Sequence, residues 1–147
     1  MTRDSLVNWI KKYEGFKSKI YVNKMGKFSI GYGRNLEDVG INPYEADALF
    51  LNDFERTLRV INAHECFKEH PENVRDAIIN MCFSLGISKL LKLDKMIEAL
   101  KNNDYTLAAK EVLNSHWGAM DEDRAKDVAL MIRQGTANEE RRTDTPN

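Results

Sequence analysis

The sequence predicts an α+β protein that is mainly α-helical, with its few strands close to the N-terminus. Changes in hydrophobic period carry this prediction. Apolar residues recur every three to four positions up to Gly15, alternate with polar residues across 17–30, and return to the helical period after Asn42. The 147 residues, 42% apolar and 31% charged, are typical of one small globular protein.

The first predicted helix rests on Leu6, Ile10 and Tyr13, which share one helical face, and Gly15 is a plausible C-terminal cap. Glu14 then lies in the last turn or just beyond it, where the helix dipole disfavours an anion. A carboxylate in this position is either simply solvated or held there for a purpose.

A β-hairpin is predicted next. Apolar residues alternate with basic and polar ones on both sides of a turn at 23–26, which contains Asn23 and Gly26. Gly31 and Gly33 follow at once. Their missing side chains permit tight turns or the close approach of a ligand to the backbone.

From Asn42 onward every predicted element is a helix. Asn42 as N-cap, Pro43 at the first position and Glu45 at the third mark the start of a helix of about twenty residues. Pro71 opens a helix with a wide apolar arc, which is expected to be the most buried. Shorter helices are predicted at 94–101, 105–114 and 122–134.

Charge excludes some classes of function. A formal net charge of −1 excludes a strongly basic protein that coats nucleic acid or membranes non-specifically. The charge is uneven, because residues 11–34 carry +6 around a single acidic residue, Glu14, and the rest of the chain carries −7. No apolar run reaches the roughly 18 residues of a bilayer crossing. We expect no nucleic-acid partner and no stable membrane association.

Other site chemistries have weak support. His64, Cys66 and His70 are close in sequence and Cys82 can join them in space, but they lack the spacing of a metal site. The glycine pair at 31 and 33 lacks the third glycine of a dinucleotide-binding loop. We therefore predict no metal and no cofactor, and we favour reduced thiols over a disulfide.

The remaining candidate site is Glu14 at the helix end, Asn23 in the turn and Ser29 in the second strand. Each residue type is common in its position. Taken alone, a solvated Glu, a turn Asn and an edge-strand Ser are the simpler interpretation.

Three motifs favour a different interpretation. Residues 13–16 (YEGF), 19–21 (KIY) and 29–33 (SIGYG) closely resemble the start of the phage-type lysozymes, the endolysins that cut peptidoglycan. In that family a catalytic Glu is followed after eight residues by an Asp, sometimes a Cys, and after five more by a Thr. Eight residues separate Glu14 from Asn23, and five separate Asn23 from Ser29. The spacing is that of the family, whereas two of the three residue types differ.

The resemblance covers roughly residues 5–136, and it implies a small N-terminal lobe, a long connecting helix and a larger helical lobe. The implied boundaries are 1–42 for the lobe with the β-hairpin, 43–63 for the helix, 64–136 for the helical lobe and 137–147 for a flexible tail. The sugar chain is expected to bind in a cleft between the lobes.

The resemblance implies a glycoside hydrolase that cuts the β-1,4 bond between N-acetylmuramic acid and N-acetylglucosamine, as a monomer and without a cofactor. Glu14 matches the proton donor, and Asn23 and Ser29 match the Asp and the Thr. Further residues match the sugar site, namely Gly31, Gly33, Asn35 and Phe83, and Arg124 matches an arginine close to the catalytic Glu.

Asn23 is the departure with the largest consequence, because an amide cannot take a proton from the attacking water. Three explanations remain open. The residue is a change introduced to inactivate the enzyme, or it is natural and Glu14 works alone or with Glu37 or Asp38, or the chain is a degenerate lysozyme that binds peptidoglycan without cutting it.

The resemblance also implies a bacteriolytic, antimicrobial phage protein that lyses its host. The chain starts with an amphipathic segment rather than the apolar block of a secretory signal. We therefore expect synthesis in the host bacterial cytoplasm, and access to the wall after another protein has permeabilised the membrane.

Overall fold

The computed structural model describes the backbone of residues 1–143 and the side chains of residues 1–136. Two compact units divide the chain, Met1–Leu49 and Phe50–Asn147. In chain order the elements are α1 (Arg3–Glu14), β1 (Lys17–Val22), β2 (Phe28–Gly31), β3 (Arg34–Asn35), α2 (Pro43–Asn62), α3 (Glu65–Lys68), α4 (Glu72–Leu85), α5 (Ile87–Leu90), α6 (Asp94–Lys101), α7 (Tyr105–Leu113), α8 (His116–Met120) and α9 (Glu122–Thr143). The predicted α+β, mainly α class is confirmed.

Helix α1 is bounded by caps at both ends. The hydroxyl of Thr2 accepts a hydrogen bond from the amide of Ser5 at 3.2 Å, which satisfies one of the free donors of the first turn. At the other end Gly15 takes a φ of 69° and donates its N–H to the carbonyl of Lys11. Glu14 is therefore the last residue of the helix.

The three strands form one antiparallel sheet in the order β1-β2-β3. Tyr21 of β1 lies opposite Ser29 of β2, and Ser29 in turn lies opposite Asn35 of β3. Ser29 is thus on the central strand, and its side chain is buried. The interpretation of Ser29 as an edge-strand residue is wrong, because β3 pairs with the free side of β2.

Helix α2 starts with the predicted reciprocal cap. Asn42 Oδ1 accepts from the amide of Glu45 at 2.9 Å, and Glu45 Oε1 accepts from the amide of Asn42 at 3.1 Å. The two side chains satisfy each other's backbone donors, and Pro43 needs none at the first helical position. The helix ends at Asn62, close to the predicted end of the connecting segment at residue 63.

The hydrophobic core that the structure describes lies in the second unit. Helix α7 packs against α6 and α9, and α4 packs against α9. The predicted apolar arc of α4 is buried as expected, at Val74, Ala77, Ile78, Met81 and Cys82. Among the described residues of the first unit, by contrast, Ser29 alone is buried.

Helix α9 extends past its predicted end at residue 134 and runs to Thr143. Gly135, the first residue after that predicted end, is buried within the helix. A methyl group there would lie 2.5 Å from Val74 Cγ2 and 2.8 Å from Tyr105 Cδ2, so the glycine serves close packing. The tail predicted at 137–147 lies outside the residues whose side chains are described, and 144–147 lie outside the described backbone as well.

Cys66 and Cys82 are free thiols, half-buried and buried respectively, and burial raises the pKa of both.

Within the part of the chain that is described, no helix combines the length and the apolar character that a bilayer crossing requires.

Candidate active site

Glu14 and Gly33 are brought together in the first unit. Glu14 is exposed at the end of α1, and Gly33 follows β2 with a φ of 79°, a conformation that L side chains rarely adopt. A methyl group on Gly33 would lie 2.8 Å from Glu14 Oε2. The carboxylate therefore lies directly against the Gly33 backbone, and only glycine fits there without displacing it.

Asn23 organises the hairpin turn. Its Oδ1 accepts two backbone hydrogen bonds, from the amides of Met25 at 2.9 Å and Lys27 at 3.0 Å. These two donors identify which end of the amide carries the oxygen. Nδ2 then points to Ser29 and donates to its Oγ at 3.3 Å. Both acceptor sites of Oδ1 are occupied, so the side chain has no free acceptor for a water molecule.

Ser29 is bonded to the same turn. Its hydroxyl accepts from Asn23 Nδ2 and donates to the carbonyl of Lys27 at 3.5 Å. With 1% of its surface exposed, the hydroxyl is satisfied by the protein rather than by solvent. The two residues predicted to match the family's Asp and Thr therefore form a direct pair.

Gly31 and Asn35 are the last residues of strands β2 and β3. Gly31 ends β2 opposite Lys17. Asn35 ends β3, where its Oδ1 accepts from the amides of Glu37 and Asp38, and its Nδ2 donates to Asp38 Oδ2 at 2.9 Å. The Asn35 side chain is thus engaged in the turn that follows β3.

The carboxylates of Glu37 and Asp38 lie beside the hairpin. Glu37 Oε2 and Asp38 Oδ1 are 3.5 Å and 3.4 Å from Lys27 Nζ, and Glu37 Oε1 accepts from the amide of Phe28 at 3.0 Å. Asp38 first, and Glu37 second, raise the pKa of Lys27 above its ordinary value. Both carboxylates thus have partners.

A second ion pair holds the chain that leads to α2. Arg34 Nη1 lies 2.7 Å from Glu45 Oε2, and it donates to the carbonyl of Gly40 at 3.1 Å. The hydrogen bond from Arg34, aided by the amide of Asn42, lowers the pKa of Glu45. The same contact raises the pKa of Arg34.

Phe83 and Arg124, the two predicted site residues of the second unit, line a common cavity of about 510 Å³. The ring of Phe83 packs against Phe50 at 5.1 Å between centroids. Arg124 is held by Asn80, to whose Oδ1 it donates from Nε at 2.7 Å and to whose carbonyl it donates from Nη2 at 3.2 Å. The remaining lining residues are Phe54, Leu58, Asp76 and Ile79.

Sequence reasoning overlooked two polar residues of α4. Asn80 fixes the guanidinium of Arg124, and Ser84 Oγ accepts a hydrogen bond from Trp117 Nε1 at 3.0 Å. Both are polar residues in a helix that carries a wide apolar arc. The helix contains other polar residues as well, so no local pattern in the sequence distinguishes these two.

The His and Cys cluster has ordinary structural partners. His64 Nδ1 lies 2.8 Å from the carbonyl of Val60, and His70 Nε2 lies 2.9 Å from that of Cys66. Across the described residues, no group of three or more His, Cys, Asp or Glu side chains is arranged to hold a metal ion.

A comparison of the sequence with models of protein families identifies the family of this chain. The model of the phage lysozyme family matches residues 11–134, which include Glu14, the hairpin and most of the helical unit. The chain belongs to the phage lysozyme family. This match confirms the resemblance. Membership of a lysozyme family assigns the chain to the glycoside hydrolases at the level of the family.

Individual relatives are distant. A probable T4-type lysozyme 1 of Dictyostelium discoideum is 27% identical over 91% of this chain and 96% of its own length. An endolysin of Acyrthosiphon pisum secondary endosymbiont phage 1 is 28% identical over 71% of this chain and 72% of its own. A probable T4-type lysozyme 2 of Dictyostelium discoideum is 23% identical over 92% and 97%.

Proposed function

We propose that this phage lysozyme family member hydrolyses the β-1,4 bond between N-acetylmuramic acid and N-acetylglucosamine in bacterial peptidoglycan, with Glu14 as the proton donor. One observation carries the proposal. The Glu14 carboxylate lies against the Gly33 backbone in the same unit as the hydrogen-bonded pair Asn23 and Ser29. These four residues stand at the positions of the family motif.

Cleavage of a glycosidic bond requires a proton on the leaving oxygen and a nucleophile at the anomeric carbon. Glu14 is suited to the first task, because its carboxyl is exposed and lies against the backbone of Gly33, which has no side chain. For the second task the family uses a carboxylate that activates water. Asn23 has the shape of that carboxylate but cannot receive the proton.

The expected consequence of Asn23 is slow catalysis. General-base assistance is worth about 10²–10⁴-fold in rate, so an amide at this position lowers activity by about that factor. An aspartate fits the same turn, since one oxygen keeps the amides of Met25 and Lys27 and the other accepts from Ser29 after the hydroxyl rotates.

The test is the clearing of permeabilised Gram-negative cell walls by the chain as it stands and by Asn23→Asp. We expect Asn23→Asp to clear walls at least about 100-fold faster. Adding Glu14→Gln to that variant should abolish the gain, because the proton donor is lost. If neither the unchanged chain nor Asn23→Asp clears the walls, the proposal is wrong.

A second candidate is a non-catalytic module that binds peptidoglycan. The observation that favours it is the saturated Oδ1 of Asn23, which has no lone pair left for water. This alternative predicts pull-down with insoluble peptidoglycan that Glu14→Gln leaves unchanged. It also predicts that no soluble muropeptides are released, even by Asn23→Asp.

The family relationship supports the remaining parts of the proposal. The substrate is the bacterial wall, and the lytic protein acts as a monomer, as the family resemblance implies. It is made in the host cytoplasm and reaches the wall after another protein has permeabilised the membrane.

A further inference from the structure

The backbone of Lys27 is the common support of the candidate pair in the hairpin. Its N–H donates to Asn23 Oδ1 at 3.0 Å, and its carbonyl accepts from the amide of Asn23 at 2.9 Å. The hydroxyl of Ser29 donates to the same carbonyl at 3.5 Å. A displacement of residue 27 would therefore move both side chains of the pair.

Glu37 holds this stretch of backbone from the other side. Its Oε1 accepts from the amide of Phe28 at 3.0 Å, and its Oε2 lies 3.5 Å from Lys27 Nζ. The carbonyl of Phe28 meanwhile accepts from the amide of Leu36 at 2.8 Å. One carboxylate and one amide of the loop thus fix both backbone groups of Phe28.

The geometry of the loop explains why a side chain makes this contact. Strand β3 ends at Asn35, whose Oδ1 binds the amides of residues 37 and 38 and turns the chain away from β2. Strand β3 therefore ends one residue short of the position that would lie opposite Phe28. Glu37 supplies the missing acceptor with its carboxylate.

We propose that Glu37 is a positioning residue, which holds the Lys27–Phe28 backbone so that positions 23 and 29 keep their geometry for wall hydrolysis. This inference rests on the proposed function. It assigns Glu37 a role different from that of a base replacing the missing aspartate, because both of its oxygens are engaged. Asp38 is engaged in the same way, by Lys27 and Asn35.

The relative strength of the two Glu37 contacts decides which variant is informative. The ion pair with Lys27 is exposed, with 40% and 38% of the two side chains accessible, and exposed pairs contribute little. The hydrogen bond from the amide of Phe28 occupies a backbone donor next to the end of β3, and we expect it to contribute more than the ion pair. A neutral glutamine can accept it as well, whereas alanine cannot.

The experiment compares Glu37→Ala and Glu37→Gln in the Asn23→Asp background. We expect Glu37→Ala to lower kcat about tenfold with little change in KM, because small displacements of catalytic groups are costly. Glu37→Gln should recover most of that loss. The matched control is Glu65→Ala, which removes the exposed ion pair between Glu65 and Lys68 in α3. This variant should leave kcat unchanged.

A measurement without turnover accompanies the kinetics. Amide exchange at Phe28 and the contact between the Asn23 side-chain amide and Ser29 are followed by NMR in the chain with Asn23 in place. Glu37→Ala should accelerate exchange and weaken the contact, whereas Glu37→Gln should retain both.

The outcomes separate the possibilities. If Glu37→Gln is as inactive as Glu37→Ala and the acidic limb of the pH–rate profile changes, Glu37 is a base and the inference is wrong. An unchanged kcat in Glu37→Ala overturns it as well. If the Asn23→Asp protein itself releases nothing, the proposed function fails, and the NMR data alone then decide whether Glu37 holds the pair.

Discussion

Position 23 shows that the fold and the chemistry make different demands on one residue. The turn needs an oxygen that binds the amides of Met25 and Lys27, and both Asn and Asp provide it. The proposed catalysis needs a negative charge and a proton acceptor, and of these two residue types Asp alone provides them. We therefore expect Asn23→Asp to change the free energy of unfolding by less than about 1 kcal/mol while it changes the rate greatly.

Gly33→Ala tests the contact between Gly33 and the Glu14 carboxylate. The new methyl group would lie 2.8 Å from Glu14 Oε2, at a φ of 79° that alanine tolerates poorly. We expect kcat in the Asn23→Asp background to fall at least about tenfold, because the proton donor is displaced. Wall-clearing rates and thermal unfolding of the same samples provide the measurement.

The matched control for this variant is Gly40→Ala. Gly40 also has a positive φ, 64°, but the nearest atom to its added methyl group is 3.9 Å away. It therefore reproduces the backbone strain without the contact to Glu14. Equal losses of activity in the two variants would show that strain, and not the displaced carboxylate, causes the effect.

Some of the site can be predicted from single residues. Gly15 identifies Glu14 as the helix end, because a cap acts on its immediate neighbours in sequence. The pairing of Ser29 with Asn23 requires the hairpin register, and the contact of Glu37 with Phe28 requires knowledge of where β3 ends. Such contacts join residues six and nine positions apart, and local propensity does not determine them.

At the scale of elements, α9 is the clearest difference between expectation and structure. The predicted helix ends at residue 134, and glycine at position 135 weakens a helix by about 1 kcal/mol relative to alanine, yet α9 continues through it. Its neighbours Val74 and Tyr105 lie on α4 and α7, far away in sequence. Tertiary packing therefore overrides propensity, and no local pattern reveals it.

Gly135→Ala follows from this packing. The methyl group would overlap Val74 Cγ2 and the ring of Tyr105, both of which belong to buried residues. Overpacking costs about 1–3 kcal/mol, which exceeds the gain in helix propensity, so we expect Tm to fall by a few degrees. Thr136→Ala, at the next position, is the control. A rise in Tm for Gly135→Ala would contradict the close packing.

The start of α2 predicts a pH dependence. Because its pKa in the folded state lies below the ordinary value of about 4.5, Glu45 contributes stability above that value, and the contribution is lost as the pH falls through the folded pKa. Relative to Glu45→Gln, the chain should be more stable at pH 7 and lose this advantage at acidic pH. Denaturation midpoints measured between pH 3 and 7 test this. A difference that does not vary with pH would contradict it.

At the scale of the whole molecule, the net charge of −1 conceals an uneven distribution of charge and of buried apolar residues along the chain. The described apolar core lies in the second unit, whereas the first unit carries the cationic hairpin around Glu14. Of the lysines at 11–24, none is in an ion pair with a described residue, and Lys17 instead lies over the ring of Tyr21 at 4.1 Å. Unpaired lysines beside the site suit a polymer that bears carboxylates.

The fold class and the family follow from periodicity and from one spaced motif, because both are properties of short sequence segments. The activity does not follow in the same way, since it depends on a single residue type at position 23. We therefore place the central proposal in the chemistry, namely that Glu14 protonates the oxygen of a muramic glycosidic bond once a carboxylate stands at position 23.

The most direct measurement is mass spectrometry of the products that the Asn23→Asp protein releases from purified peptidoglycan. We predict soluble muropeptides with N-acetylmuramic acid at the reducing end, and none when Glu14→Gln is added. Products with N-acetylglucosamine at the reducing end, cleaved peptide bonds, or release that is independent of Glu14 would contradict this prediction.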